Sequence, residues 1–125
     1  GQREHIWATL EHIHDLDSTF YYGAYYRYKG ALLGRDPETE NDTTGMRKAF
    51  DEAIRVSPNY LGNYTLMAQY YCPKTQDKNL FYNLLTRVIT TTPNPDLPYY
   101  PENLYEKVLA ERLMIKAEKE NWFTQ

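Results

Sequence analysis

Three histidines and one cysteine are the residues with the greatest potential for metal or nucleophilic chemistry in this 125-residue chain. His5 and His12 lie two turns apart on one helical face, but no two histidines stand at i, i+4 and no His-Glu-x-x-His motif is present. Cys72 has neither a neighbouring histidine nor a second cysteine. We therefore predict no metal site, no catalytic residue and no cofactor, and we interpret the histidines, including His14, as solvated helix surface.

Paired carboxylates could in principle serve acid–base chemistry, which in glycosidases needs both groups in one pocket. The two pairs, Glu38 with Glu40 and Asp51 with Glu52, lie on charged segments without a nearby base. Gly34 follows a predicted helix rather than a strand, so it does not open a phosphate-binding loop. No nucleophile and base stand together either, and we predict that the chain is not an enzyme.

The charge balance argues against nucleic acid as a partner. A formal charge of −3 removes the sequence-independent attraction to phosphates on which most nucleic-acid-binding proteins depend. Basic and acidic residues alternate near the C-terminus, which predicts a solvated, salt-bridged helix face made of Lys107, Arg112, Lys116 and Lys119 beside Glu106, Glu111, Glu118 and Glu120. No apolar run approaches the ~18 residues needed to cross a bilayer, and no signal-peptide pattern is visible.

Tyrosine is in excess, with 13 tyrosines in the chain. Five of them fall on one short predicted helix: Tyr21, Tyr22, Tyr25, Tyr26 and Tyr28. A tyrosine has an apolar body and a polar tip, so it can fill a seam between helices or supply an anchor for a partner. Both interpretations stay open for each single tyrosine. Because five aromatics exceed what one core seam can hold, we expect at least two of them on a recognition surface.

The hydrophobic period is helical almost throughout, which predicts an all-α fold in one domain over residues 1–125. Six helices are expected. They lie around Ile6 to Ile13, from about Phe20 to Leu33, around Met46 to Ile54, from about Tyr60 to Tyr71 with Pro73 as its end, from the cap Asp77 to Thr90, and from about Glu102 to Asn121. Asp42, Thr43 and Thr44 offer capping oxygens before the third helix. Four prolines make residues 93–101 irregular.

A weak repeat lies within this pattern. Leu16-Asp17-Ser18-Thr19-Phe20 and Val56-Ser57-Pro58-Asn59-Tyr60 share one order of residue types, and Thr91-Thr92-Pro93 is a weaker third copy. The separations are 58 − 18 = 40 and 93 − 58 = 35 residues, near the period of about 34 of tetratricopeptide repeats. Such repeats stack antiparallel helix pairs that complete one another's core. The spacing predicts that Phe50 and Ala53 face inward.

The succession of motifs resembles one known family. It runs from Asp15-Leu16-Asp17-Ser18-Thr19-Phe20-Tyr21-Tyr22-Gly23-Ala24-Tyr25-Tyr26 through Ala49-Phe50-Asp51-Glu52-Ala53 to Asn79-Leu80-Phe81-Tyr82-Asn83-Leu84-Leu85. This order is similar to the TatT family, the tetratricopeptide-like T component associated with tripartite ATP-independent periplasmic (TRAP) transporters. The resemblance spans roughly Ile6 to Phe123.

The resemblance implies a periplasmic lipoprotein that acts without enzymatic chemistry. It implies docking to the transporter's substrate-binding protein (P component), a cleft that relays a small apolar ligand, and assembly as a homo-oligomer. The lipid-bearing cysteine and the N-terminal helices of a full-length member are not in this sequence, so we expect a truncated or short member whose anchor lies outside it. A generic tetratricopeptide adaptor for a peptide or an unrelated protein is the alternative hypothesis.

Candidate groove residues follow from the repeat, because the first helix of each pair lines the concave surface of such folds. Offsets of two, five and nine residues from Phe20 and from Tyr60 select Tyr22, Tyr25 and Lys29 in one helix and Gly62, Thr65 and Gln69 in the next. Cys72 follows one turn later, and Tyr26 shares a helical face with Tyr22. We therefore predict a partner or ligand groove formed by Tyr22, Tyr25, Tyr26, Lys29, Thr65, Gln69 and Cys72.

Overall fold

The computed structural model of the chain describes residues 1–17 and 22–124. Within these residues it contains six α-helices and no strand: α1 (Gln2–Asp17), α2 (Ala24–Arg35), α3 (Thr43–Val56), α4 (Gly62–Thr75), α5 (Lys78–Thr90) and α6 (Tyr100–Lys119). The prediction of an all-α fold is confirmed. None of these helices is both long enough and apolar enough to cross a membrane.

Two helix starts obey the capping chemistry expected from the sequence. The Asp42 carboxylate accepts a hydrogen bond from the Gly45 amide at 2.8 Å, and the Asp77 carboxylate accepts one from the Leu80 amide at 3.0 Å. Each side chain thereby satisfies an amide that has no partner inside the helix. The starts of α3 and α5 are thus set by single aspartates.

The second helix begins later than predicted. It starts at Ala24 rather than near Phe20, which itself lies outside the described residues. Tyr22 (φ 56°) and Gly23 (φ 81°) both adopt left-handed backbone, which cannot continue a right-handed helix. Glycine is required at position 23 for a second reason, since a Cβ there would lie 2.9 Å from the Ala53 carbonyl oxygen.

The helices α4 and α6 also depart from their predicted bounds. The helix α4 starts at Gly62 and passes through Pro73 to Thr75, although a proline in the last turn removes the N–H that would bond to the carbonyl of residue 69. Its end is fixed instead by Gln76, which is left-handed (φ 55°). The helix α6 starts at Tyr100 with Pro101 in its first turn, where a missing N–H costs nothing, and ends at Lys119. The irregular proline-rich segment therefore ends before Tyr100.

The helices pack as successive pairs, α2 with α3 and α4 with α5, followed by α6. Phe50 and Ala53 of α3 are fully buried, which confirms that this face points inward. The helix α5 repeats the pattern of α3 at a spacing of 85 − 50 = 35 residues. The buried residues at equivalent positions of α3 and α5 are Met46 and Phe81, Ala49 and Leu84, Phe50 and Leu85, and Ala53 and Val88. A solenoid-like stack with one continuous core results.

Candidate functional site

The helices α2, α4 and α6 line a cavity of about 330 Å³, which we call the inner cavity, and we call these three the inner helices. The helix α4 contributes Gly62, Thr65, Leu66 and Gln69, and Tyr60 precedes it. The helix α2 contributes Arg27 and Tyr28, while α6 contributes Glu106, Leu109, Arg112, Leu113 and Lys116. The helices α3 and α5, which we call the outer helices, supply no lining residue.

Arg27 is the central cation of this cavity, and it is only 5% exposed. Its Nη1 donates to Asn63 Oδ1 at 3.0 Å and to the Tyr22 carbonyl oxygen at 3.0 Å. The guanidinium carbon lies 4.4 Å from the centre of the Tyr60 ring and 4.9 Å from that of Tyr28. Two neutral acceptors and two aromatic faces therefore hold the charge in one position.

Asn63 explains why Arg27 is held so rigidly. This fully buried amide donates to the Ala53 carbonyl at 3.1 Å and to the Ser57 carbonyl at 3.0 Å, while its oxygen accepts from Arg27. One side chain thus joins α2, the end of α3 and the start of α4. Because every polar atom of a buried network needs a partner, this arrangement admits few alternatives.

An aromatic cluster supports the same wall, with Tyr60 in the cavity lining and with Tyr22 and Tyr99 outside it. The Tyr22 and Tyr60 rings stack with centroids 5.6 Å apart, and Tyr99 lies against both at 4.5 Å and 5.2 Å. The left-handed backbone at Tyr22 aims its carbonyl at Arg27 and its ring at Tyr60. The cluster therefore fixes the position of the Tyr60 ring, against which the Arg27 guanidinium packs.

The α6 wall carries the remaining charges. Glu106 is half-buried, and burial raises the pKa of its carboxyl group, while the Thr65 hydroxyl and the Arg27 charge act in the opposite direction. Arg112 and Lys116 stand one turn apart on the same helix and are exposed. The lining of the inner cavity thus carries three cations and one carboxyl group.

A second cavity of about 290 Å³, the α1–α2 groove, adjoins the first. Its walls are largely apolar and include Ile6, Leu10 and Ile13 of α1 with Leu32 of α2. Tyr28 lines both cavities and is 48% exposed. The ring of Tyr28 is therefore the partition between the inner cavity and the α1–α2 groove.

The predicted groove residues divide between the helices. Thr65 and Gln69 line the inner cavity, as does Gly62. Cys72 does not line it: the side chain is fully buried in the core, and burial raises the pKa of its thiol to about 12. That placement corrects the prediction for Cys72, because one further turn of α4 carries its side chain to the face packed on the outer helices.

The α2 residues of the predicted groove do not line the inner cavity either. Tyr25 is buried against α1, where its hydroxyl donates to Glu11 at 3.2 Å and its ring lies 4.4 Å from that of His14. Tyr26 packs edge-on against Tyr25, and Lys29 Nζ lies 5.6 Å from the centre of the same ring. Tyr22 lies behind Tyr60 in the aromatic cluster. These four residues instead join α2 to its neighbours.

The predicted spacing between the two repeats was two residues too long, and this error explains why these α2 residues do not line the inner cavity. The inner helices α2 and α4 start at Ala24 and Gly62. The spacing between their starts is therefore 62 − 24 = 38 residues, rather than the 40 assumed from Phe20 and Tyr60. At that spacing Arg27 and Tyr28 correspond to Thr65 and Leu66. Gly23 was the sequence signal that could have placed the start of α2. The charged α6 face was missed because its alternation resembled ordinary solvated surface.

The potential metal ligands among the described residues lie apart from one another. No group of three potential ligands among His, Cys, Asp and Glu comes together there. His14 packs on the Tyr25 ring, beside an exposed Asp15. The side chains that line the inner cavity offer charge, hydrogen bonding and apolar contact to a ligand.

Comparison with known proteins supplies the family. No curated protein matches the chain significantly. The model of the TAtT family, described as the TRAP transporter T-component, matches residues 2–123, nearly the whole chain. The match covers all six helices, including every residue that lines the inner cavity. The chain therefore belongs to the TRAP transporter T-component family.

Proposed function

We propose that this chain is a non-enzymatic binding protein that docks the substrate-binding protein of a TRAP transporter in the periplasm. Membership of the T-component family supplies the association with a TRAP transporter. The observation that supports docking is that the half-exposed Tyr28 and the exposed Arg112 and Lys116 line one cavity. Aromatic and arginine side chains of this kind supply most of the binding energy in protein interfaces.

The proposal also gives the inner cavity a role in handing over a small ligand. Tyr28 partitions two cavities, so a partner that contacts this ring covers the mouths of both. A ligand held there would be passed on without crossing bulk water. The proposal includes a lipid anchor, which the family resemblance implies.

Titration of the purified chain with the substrate-binding protein encoded beside its gene tests the docking step. We expect Tyr28→Ala to weaken binding roughly thirtyfold, the effect of losing a central aromatic anchor of about 2 kcal/mol. Tyr105→Ala is the matched control, because Tyr105 is 56% exposed on α6 and lies outside both cavities. Equal binding by the parent and Tyr28→Ala, with a loss confined to Tyr105→Ala, would move the docking surface to the opposite face of α6.

A further inference from the structure

The residues that follow α6 fold back onto the corner where α4 ends and α5 begins. The rings of Trp122 and Phe123 lie against the fully buried Phe81 ring of α5, with centroids 6.0 Å and 4.9 Å away. Gln76, which ends α4, contacts the backbone of the same segment. We call the surface formed by Gln76 and Phe81 the corner surface, and residues 122–124 occupy it. It lies apart from the inner cavity, since none of these residues lines that cavity.

The side-chain amide of Gln76 holds this segment by its backbone. Its Nε2 donates to the Trp122 carbonyl oxygen at 2.8 Å, and its Oε1 accepts from the Thr124 amide at 3.1 Å. The same Nε2 also donates to the Pro73 carbonyl oxygen at 2.9 Å, which fixes the plane of the amide. One side chain therefore contacts both the carbonyl before residue 123 and the N–H after it. Backbone contacts of this kind bind an extended peptide whatever its side chains.

The aromatic wall of the corner surface supplies the preference for a side chain. Tyr82 packs edge-on against Phe81, with ring centroids 5.2 Å apart. Phe123 lies between the two backbone groups that Gln76 contacts, and its ring packs on the same wall. Aromatic pairs at these distances gain free energy beyond the area that they bury. The corner surface therefore favours an extended segment with an aromatic residue at the position of Phe123.

The backbone at this corner is unusual for the residues that adopt it. Gln76 (φ 55°) and Asn121 (φ 53°) are two of the three described non-glycine residues with left-handed backbone. A left-handed residue at the end of a helix is most often glycine, since a Cβ is strained there. Strain of this kind clusters at ligand clamps and other functional sites. The contact between the Gln76 amide and the bound segment explains why a side chain stands at this position.

We propose that the corner surface is a peptide-binding site for an extended, aromatic segment of a partner protein, and that residues 122–124 occupy it in the free chain. The partner's segment replaces them, with its backbone on Gln76 and its aromatic ring on Phe81. A tethered segment competes at an effective concentration on the order of millimolar, so the chain's own residues set the affinity that a partner must exceed. This inference goes beyond the proposed function and does not depend on it, because the surface lies away from the inner cavity.

A synthetic peptide with the sequence of residues 119–125, acetylated at its N-terminus, is the probe. The double variant Trp122→Ala/Phe123→Ala empties the corner surface, and calorimetric titration measures the affinity of the peptide for this variant and for the parent chain. We expect the variant to bind the peptide at least about tenfold more tightly than the parent, whose own segment competes. A control peptide with the change Phe123→Ser should bind the variant about tenfold more weakly or less. Equal binding of the two peptides, or no binding to the folded variant, would overturn the proposal.

Gln76→Gly, made in the same double variant, separates peptide binding from helix capping. Glycine suits the left-handed backbone at this position, so the melting temperature should stay the same or rise. The loss of both amide contacts should weaken peptide binding about tenfold or more. Asn83→Ala is the matched control, because it removes another amide side chain, which is exposed on α5. Equal peptide affinity in Gln76→Gly and Asn83→Ala would contradict the assignment of the clamp.

Helical circular dichroism verifies that each variant folds. Where the double variant loses this signal, Phe123→Ser alone is the emptied chain, since it keeps the contact of Trp122 with Phe81. Gel filtration of the parent chain tests the competing occupant, which is the same segment of a second copy. A parent that stays monomeric supports the proposal, whereas a dimer that Gln76→Gly converts to monomers would overturn it in favour of exchange between copies.

Discussion

The α2–α3 pair and the α4–α5 pair share one packing pattern but differ on the face that lines the inner cavity. Their outer helices keep the same buried pattern and the same aspartate cap, as in Phe50 with Leu85 and Asp42 with Asp77. Their inner helices differ where they line the inner cavity, since Arg27 and Tyr28 stand where α4 has Thr65 and Leu66. The packing is repeated, whereas the face that lines the inner cavity is not.

The connections inside the two pairs differ as well. The helices α4 and α5 are joined by residues 76–77, whereas residues 36–42 join α2 and α3. The longer connection contains Asp36, whose carboxylate accepts from the Trp7 indole at 2.9 Å and pairs with Arg3 at 2.6 Å. The additional residues therefore give the first pair a binding point for α1, which the second pair lacks.

The largest expected effect comes from truncating a side chain of the core packing that the two pairs share. Phe50→Ala should lower the free energy of unfolding by ~3–5 kcal/mol, because it opens a cavity under a fully buried ring. Leu85→Ala, the counterpart in α5, should cost ~2–5 kcal/mol. Urea denaturation measures both. A loss below about 1 kcal/mol for Phe50→Ala would contradict the repeated core.

A second pair of changes sharpens the contrast between the inner helices. Gly30 and Ala68 occupy equivalent positions (68 − 30 = 38), but a Cβ on Gly30 would lie 2.6 Å from the Phe50 ring. Gly30→Ala should therefore cost about 1–3 kcal/mol through overpacking, although alanine normally favours helices. Ala68→Gly should also destabilise, by about 1 kcal/mol. Thermal melts check both, and a more stable Gly30→Ala variant would show that α2 can move away from α3.

The caps should be equivalent in the two pairs. Asp42→Ala and Asp77→Ala each remove one carboxylate acceptor from a helix start and should each cost ~1 kcal/mol. Asparagine substitutions serve as controls, because the amide oxygen retains the cap. Urea denaturation of the four variants measures the costs. Markedly unequal costs for the two alanine variants would mean that the two starts are stabilised differently, despite their similar geometry.

The smallest effect concerns the Glu106 carboxyl of α6, which lies close to Arg27 of α2 and Thr65 of α4. Burial raises the pKa of Glu106 in the folded protein above that of the unfolded chain, so the folded state holds this proton more tightly. Ionisation therefore opposes folding, and the stability contributed by this group falls as pH rises through the interval between the two pKa values. Glu106→Gln should raise the melting temperature at neutral pH, and the gain should shrink below about pH 4, where the unfolded carboxyl is also protonated. A parent and a variant with the same pH profile would contradict this.

The parts of the fold that depend on local sequence were predictable. The outer helices follow from apolar spacing and from the capping aspartates, and both were placed correctly. The start of α2 was not, because the left-handed turn at Tyr22 and Gly23 depends on a close approach to Ala53, which is 30 positions further along the chain (53 − 23 = 30). Long-range packing decided that boundary.

The site was predictable to the same limited extent. Thr65 and Gln69 line the inner cavity, and their selection depended on an α4 start close to the predicted aromatic; a role for them in binding stays a prediction. Arg27 was missed because its burial depends on an amide 36 positions away, Asn63, that no local pattern indicates. Residues of α6 line the cavity only because α6 packs across α4. Their alternating charges therefore did not indicate that they would line a cavity.

Among the described helices, α1 packs against α2 alone. Its polar contacts there are the hydrogen bonds from Trp7 to Asp36, just after the end of α2, and from Tyr25, near the start of α2, to Glu11. A helix with a single neighbour opens as a separate unit, at a free energy below that of global unfolding. Backbone amide protons of α1 should therefore exchange with deuterated water before those of α3 and α4, which have neighbours on two sides or more. Each such opening removes the Ile6, Leu10 and Ile13 wall of the groove beside Tyr28, so the exchange rate of α1 reports how often that groove loses one of its sides.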